Sequence, residues 1–284
     1  MKGFGKKQNI KKSASKSTSI SRSKLLTKAL TSHKSGNIQE ASKYYKELID
    51  KGFYDSRILS NYGAILQNLG KLSEAIELYN QSIKSYPEEP EAYANLGVLL
   101  KDLGHLKEAE LVTRKAIEIK PDFLIANYNL GHILIKAGKI KEAEIYTTKA
   151  IELKPDFAKA IYNLSIISKD LGKLEKAKFY SLKAIELNPN FADAYSNLGI
   201  ILKDIGEVNK AEIFSSKAIK IEPFNAQLHL NHSNILLGQM KFTEGWKEYE
   251  WRWKVEKGSI GKKLKTSRPE WQTGEKGCVL LWAE

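Results

Sequence analysis

Few residues in this sequence have types and spacings that can do chemistry. His229 and His232 stand three apart, so two imidazoles can share one helix face as metal ligands do. No Cys or carboxylate spacing completes the set of four that a structural zinc site takes. Both replace residues that elsewhere in the sequence face a core, an aromatic and a Leu, so they are expected to be structural. Glu118, Glu152 and Glu186 resemble grouped carboxylates, yet they recur every 34 residues at one helical position and read as a solvated face. Cys278 is the single Cys, which rules out an intramolecular disulfide and a Cys-based zinc cluster. No G-x-G-x-x-G, P-loop or nucleophile-elbow segment occurs. The expectation is no cofactor, no metal and no catalysis by the chain as it stands, which leaves binding.

For binding, one position is constant: Asn61, Asn95, Asn129, Asn163, Asn197 and Asn231. Each lies beside an apolar position, so its side chain is expected to face a groove. An amide carries both donor and acceptor and can pair with either half of a peptide backbone. Lys101, Lys169 and Lys203 can meet carboxylates or phosphates, although Asp102, Asp170 and Asp204 follow them directly and offset much of the field. Tyr128 and Tyr162 add amphipathic contact area.

The elements that must position these residues come from an internal period. Gly36, Gly70, Gly104, Gly138, Gly172 and Gly206 are 34 residues apart, as are Ala41, Ala75, Ala109, Ala143, Ala177 and Ala211. A third series runs Pro87, Pro121, Pro155, Pro189 and Pro223. In the copy from Pro90 to Phe123, Tyr93, Leu96, Leu99, Leu100 and Leu103 recur at helical spacing until Gly104. A second helical stretch carries Leu106, Ala109, Val112, Ala116, Ile117 and Ile119 and stops before Pro121, which has no N–H to continue the ladder. Gly104 can take the left-handed conformation that reverses the chain, and Gly97 and Ala109 are small enough for the helices to cross closely.

This pattern resembles the tetratricopeptide repeat, over residues 22–256. Copies begin at 22, 56, 90, 124, 158, 192 and 226. The first departs from the pattern at Lys28 and Phe53, the seventh at Met240 in the hairpin Gly position and Gly245 in the Ala position. Solenoid ends lose a neighbour and have to be capped, which accounts for divergence there. The resemblance implies an all-α, right-handed superhelical solenoid with the first helix of each pair on the concave side, holding protein or extended peptide. It also implies use of the Asn row like the similar row in the protein O-GlcNAc transferases.

Charge and composition bound the partners. The net charge is +13, from 46 Lys+Arg and 33 Asp+Glu. Residues 1–24 carry only basic charge, residues 252–276 are net basic, and the repeats between are nearly balanced. The charge therefore describes a disordered basic tail over 1–24 and a basic linker over 257–276, which argues against nucleic acid on the fold. The N-terminus lacks the apolar core of a secretory signal, and no apolar run is long enough to span a membrane. A cytoplasmic protein is expected.

Every Trp lies late: Trp246, Trp251, Trp253, Trp271 and Trp282. The last helix is expected to run through Phe242–Glu256, with Trp246, Tyr249, Trp251 and Trp253 forming an aromatic cap that a partner, a further domain or a second copy can cover. Residues 277–284 end in the strand-like run Cys278–Trp282, expected to be the start of a further domain or a docked strand. The stretch from Phe242 resembles the junction at which bacterial tetratricopeptide repeats precede a heptosyltransferase-like glycosyltransferase domain. The matching residues are Glu244, Gly245, Trp246, Tyr249, Glu250, Trp251, Arg252, Trp253, Arg268, Pro269, Trp271, Leu280, Leu281, Ala283 and Glu284. That resemblance implies the recognition module of a truncated glycosyltransferase; the alternative is a stand-alone adaptor whose cap docks a partner protein.

Overall fold

The computed structural model describes residues 22–255. The linker and the strand-like segment expected at 257–284 lie outside the described residues, as does the basic tail up to residue 21. Arg22 and Lys24 belong to the first helix, not the tail.

The described chain is helical, with no strand among the described residues. Helix α1 (22–34) pairs with α2 (Ile38–Asp50), α3 (Ser56–Asn68) with α4 (Leu72–Ser85), α5 (Pro90–Asp102) with α6 (Leu106–Ile119), and α7 (Leu124–Lys136) with α8 (Ile140–Leu153). After Pro155 come α9 (Ala158–Asp170) with α10 (Leu174–Leu187), α11 (Ala192–Ile205) with α12 (Val208–Ile221), and α13 (Ala226–Gly238) with α14 (Phe242–Tyr249). The chain forms two compact units that divide between Lys154 and Pro155. In each unit the first helices of successive pairs, here A helices, pack on one another, while the second, B helices, lie outside them.

The periodic residues act as the sequence requires. The six hairpin glycines have φ between +71 and +93, and the loop closes with bonds such as His105 N–H to Leu100 O at 2.9 Å. In the first pair, Gly52 at φ +75 ends α2 where later copies use Pro. Gly97 has to be small: a Cβ there would stand 2.1 Å from Thr113 Oγ1. Ala29, Ala41, Tyr45, Leu48, Ile58 and Ile65 form one core of the first unit, and Leu198, Leu202, Ala211 and Ile235 one of the second.

Successive pairs are joined by ion pairs between one B-helix position and a residue 29 further on. Glu110 accepts from Lys139 at 2.9 Å, and Glu212 from Lys241 at 2.6 Å. Lys178 with Glu207 reverses the polarity.

The last pair differs from the continuous helix expected over Phe242–Glu256. Helix α14 stops at Tyr249 and the chain tightens into a 3-10 turn at Glu250–Lys254. Arg252 falls where earlier B helices bury Ala116, Ala150, Ala184 and Ala218, and a guanidinium cannot fill that crossing. The tighter turn instead places it over the rings of Tyr249, at 4.5 Å, and Trp253, at 4.2 Å.

Candidate peptide-binding face

The constant Asn position sits in the middle of each A helix from α3 onward, but the six side chains are not equivalent. In the first unit Asn61 Nδ2 donates to the Tyr45 hydroxyl of the preceding pair at 3.1 Å. Asn95 is half-buried and Asn129 buried. In the second unit Asn197 Nδ2 donates to Ser165 Oγ at 2.8 Å and to Ser181 Oγ at 3.2 Å, both in the preceding pair. Asn231 Nδ2 donates to Ser196 Oγ at 2.9 Å, while its Oδ1 accepts from Gln227. Asn163 is 2% exposed, and its Nδ2 has no hydrogen-bond partner among the described residues.

The row is thus not a set of free amides facing outward. Asn61, Asn197 and Asn231 spend their donors on joining each pair to the one before. With Nδ2 held in this way, Oδ1 of the half-buried Asn61 and of Asn197, which is only 6% exposed, is a fixed acceptor with no partner among the described residues.

The cations on the same face also differ. Lys101 is largely buried and bonded to Asp102 at 3.0 Å, as its neighbour suggested. Lys169 and Lys203 are half-buried and make no ion pair among the described residues, so Asp170 and Asp204 do not clamp them. Tyr128 lies 6.4 Å from the ring of His132, and Tyr162 lies 5.0 Å from Phe191. His132 is held neutral: burial, with help from Lys101 and Lys136, lowers its pKa from 6.5 to about 4.

At the cap each of the two histidines is bonded to a residue of the protein itself. The buried His229 directs Nδ1 at Glu248 and Nε2 at the Pro223 carbonyl, and stacks on Trp251 at 3.9 Å. His232 Nδ1 bonds Ser215 Oγ at 2.8 Å. Lys254 Nζ lies 3.8 Å over Trp251, so that ring is covered by His229 and Lys254. Trp246 remains 55% exposed. Glu118, Glu152 and Glu186 are exposed surface carboxylates.

A row on the outer face escaped the reading of the sequence: Leu111, Ile145, Phe179 and Ile213 are all exposed on B helices. Their spacing of 34 residues was the available signal.

Repeated helical pairs turned by a left-handed Gly, with a small residue at each crossing, define a helical-repeat binding scaffold. Tetratricopeptide-repeat family profiles match residues 63–104, 90–123, 124–157, 158–191 and 180–213, together more than half of the chain. The chain belongs to the tetratricopeptide-repeat family. A tetratricopeptide repeat protein from Parabacteroides merdae is 20% identical, with a TM-score of 0.65 over 81% of this chain and 91% of its own. YrrB, described as a TPR protein with an unusual peptide-binding site, is 24% identical, with a TM-score of 0.52 over 66% of this chain and 96% of its own. PilF of Pseudomonas aeruginosa is 19% identical, with a TM-score of 0.60 over 72% of this chain and 93% of its own. At these identities the likeness concerns the fold. No curated protein matches this sequence. No helix among the described residues is long and apolar enough to cross a membrane.

Proposed function

We propose that the chain is a cytoplasmic scaffold that holds an extended peptide segment on the A-helix face of each unit. The observation that carries this is the fixing of Asn61 and Asn197 by their Nδ2 atoms, which leaves Oδ1 as a preset acceptor for a backbone N–H. Preset acceptors lower the ordering cost of binding, and backbone pairing tolerates many side chains. Lys169, Lys203, Tyr128 and Tyr162 supply charge and contact area around them. YrrB offers a parallel, as a protein of this fold named for a peptide-binding site.

The test uses a displayed peptide library with Pro at every third position, which cannot form helices. Selected peptides are then measured against Asn61→Ala/Asn197→Ala and Lys169→Ala/Lys203→Ala. Weaker binding with unchanged helical circular dichroism supports the face; wild-type affinity in both variants removes it.

On the resemblance of Phe242–Glu284 to a glycosyltransferase junction, we further assign the scaffold to substrate recognition by a heptosyltransferase-like enzyme. Coding sequence beyond Glu284 that yields a Gly-rich loop and alternating strands and helices supports this. An unrelated continuation speaks against it. The stand-alone adaptor draws on one observation, that the cap covers Trp251 with its own His229 and Lys254.

A further inference from the structure

The fourth copy of the repeat departs from its neighbours at two inner-face positions one helical turn apart. Where the third, fifth and sixth copies carry Val98, Ile166 and Ile200, the fourth carries His132. Where they carry Asp102, Asp170 and Asp204, it carries Lys136. An apolar residue and a carboxylate are thus exchanged for two side chains that donate N–H. Tyr128, His132 and Lys136 follow one another at intervals of four on α7 and share one stripe of that helix. The rings of Tyr128 and His132 lie 6.4 Å apart.

Neither side chain is satisfied within the fold. His132 is half-buried, and its ring nitrogens have no hydrogen-bond partner among the described residues. Lys136 is exposed and makes no ion pair among them. The charged groups that act on His132 are Lys101 and Asp102 of the neighbouring α5 and Lys136 of its own helix. Lys101 and Asp102 bond one another at 3.0 Å, so their charges offset and the ammonium of Lys136 is left over. The imidazole beside it is neutral and presents one N–H donor and one acceptor.

We propose that His132 and Lys136 form a subsite for an acidic side chain of the bound peptide, the imidazole N–H and the ammonium both donating to its carboxylate. Side chains four apart on a helix start about 5–6 Å from one another, so both donors can reach one carboxylate. Charge favours that ligand over an amide, because a hydrogen bond between ionised groups is about twice as strong as a neutral one. Tyr128 lies one turn away and offers its ring to the methylenes of the same side chain. The inference rests on the inner-face reading and gives it a preference: a peptide with Glu or Asp at the place that meets α7.

The test uses peptides selected on the full chain from the Pro-interspersed library and resynthesised with amidated C-termini, so that every carboxylate belongs to a side chain. Each Glu or Asp is replaced in turn by Gln or Asn, and binding is read by fluorescence anisotropy. One acidic position is expected at which the replacement weakens binding about tenfold to the wild-type chain and less than about twofold to His132→Val/Lys136→Ala. Val98 shows that the fold takes Val at this position, and an unchanged thermal melt checks that the variant is folded. In proton NMR the imidazole signal that His132→Val removes should shift with the acidic peptide and not with its amide form. The proposal is overturned if the selected peptides have no such acidic position, or if the double variant keeps the tenfold discrimination. It is likewise overturned if Lys169→Ala/Lys203→Ala abolishes the discrimination and His132→Val/Lys136→Ala does not. Failure of the inner-face reading looks different: Asn61→Ala/Asn197→Ala and Lys169→Ala/Lys203→Ala then bind every peptide as wild type, whereas failure of the subsite alone leaves their losses in place.

Discussion

Gly131→Ala tests how closely the helices of a pair approach. Gly131 lies within α7, and a Cβ there would stand 2.4 Å from Thr147 Oγ1 and 3.3 Å from the Thr147 backbone nitrogen. Thr147 is fully buried, and its hydroxyl has no hydrogen-bond partner among the described residues. Two effects oppose one another. Replacing Gly by Ala inside a helix gains about 1 kcal/mol, whereas overpacking a tight contact costs about 1–3 kcal/mol. The clash at 2.4 Å is severe enough to dominate, for a net loss of about 1–2 kcal/mol. Thr147→Ala alone removes a methyl group but also an unpaired buried hydroxyl, so it is expected to be nearly neutral. Combined with Gly131→Ala it removes the clashing oxygen, and the pair should recover most of the loss. Thermal and urea melts followed by circular dichroism read the effect: about 3–6 °C lower Tm for Gly131→Ala, restored in the double variant. Additivity within about 0.5 kcal/mol would refute the close crossing.

Met240 adopts φ 61, the only non-Gly residue with positive φ among the described residues, so Met240→Gly should stabilise by about 0.5–1 kcal/mol in urea melts. Two members of the Asn row should behave oppositely. Asn197→Ala breaks bonds to Ser165 and Ser181 and should cost about 1–2 kcal/mol, while Asn163→Ala removes an unpaired buried donor and should be neutral or stabilising. Equal losses would show that the row is uniform. The pKa of His132 is lower folded than unfolded, so the unfolded chain takes the proton first. Its stabilising contribution is present above pH 6.5 and declines as the pH falls from 6.5 towards 4. His132→Val, the residue of the preceding copy at Val98, should flatten that part of the Tm–pH profile; an unchanged slope would assign it to other groups.

The hairpins were legible because Gly, Pro and small crossing residues are forced by backbone geometry and recur in register. Side-chain direction was not, since a period gives the position of Asn197 on its helix but not its rotamer. The hydroxyls that capture Asn61 and Asn197, on Tyr45 and Ser181, lie sixteen residues before each of them and were available as a signal. The break of the last helix was hidden for a related reason. Its residues have ordinary helical propensity, and only the replacement of a crossing Ala by Arg252 betrays it. The outer row of Leu111, Ile145, Phe179 and Ile213 was missed because each residue reads singly as an unremarkable apolar helix position. Only comparison with Glu77 and Lys247, at the same position of the preceding and following pairs, sets it apart.

The central claim is that the A-helix face is the peptide-binding surface. A Pro-interspersed peptide selected on the full chain and carrying a benzophenone photo-cross-linker tests it most directly, with attachment sites mapped by mass spectrometry. The account predicts attachment on α3, α5, α7, α9, α11 or α13, near Asn61, Tyr128, Lys169 and Lys203. Attachment confined to the B helices or to the cap around Trp246 would contradict it.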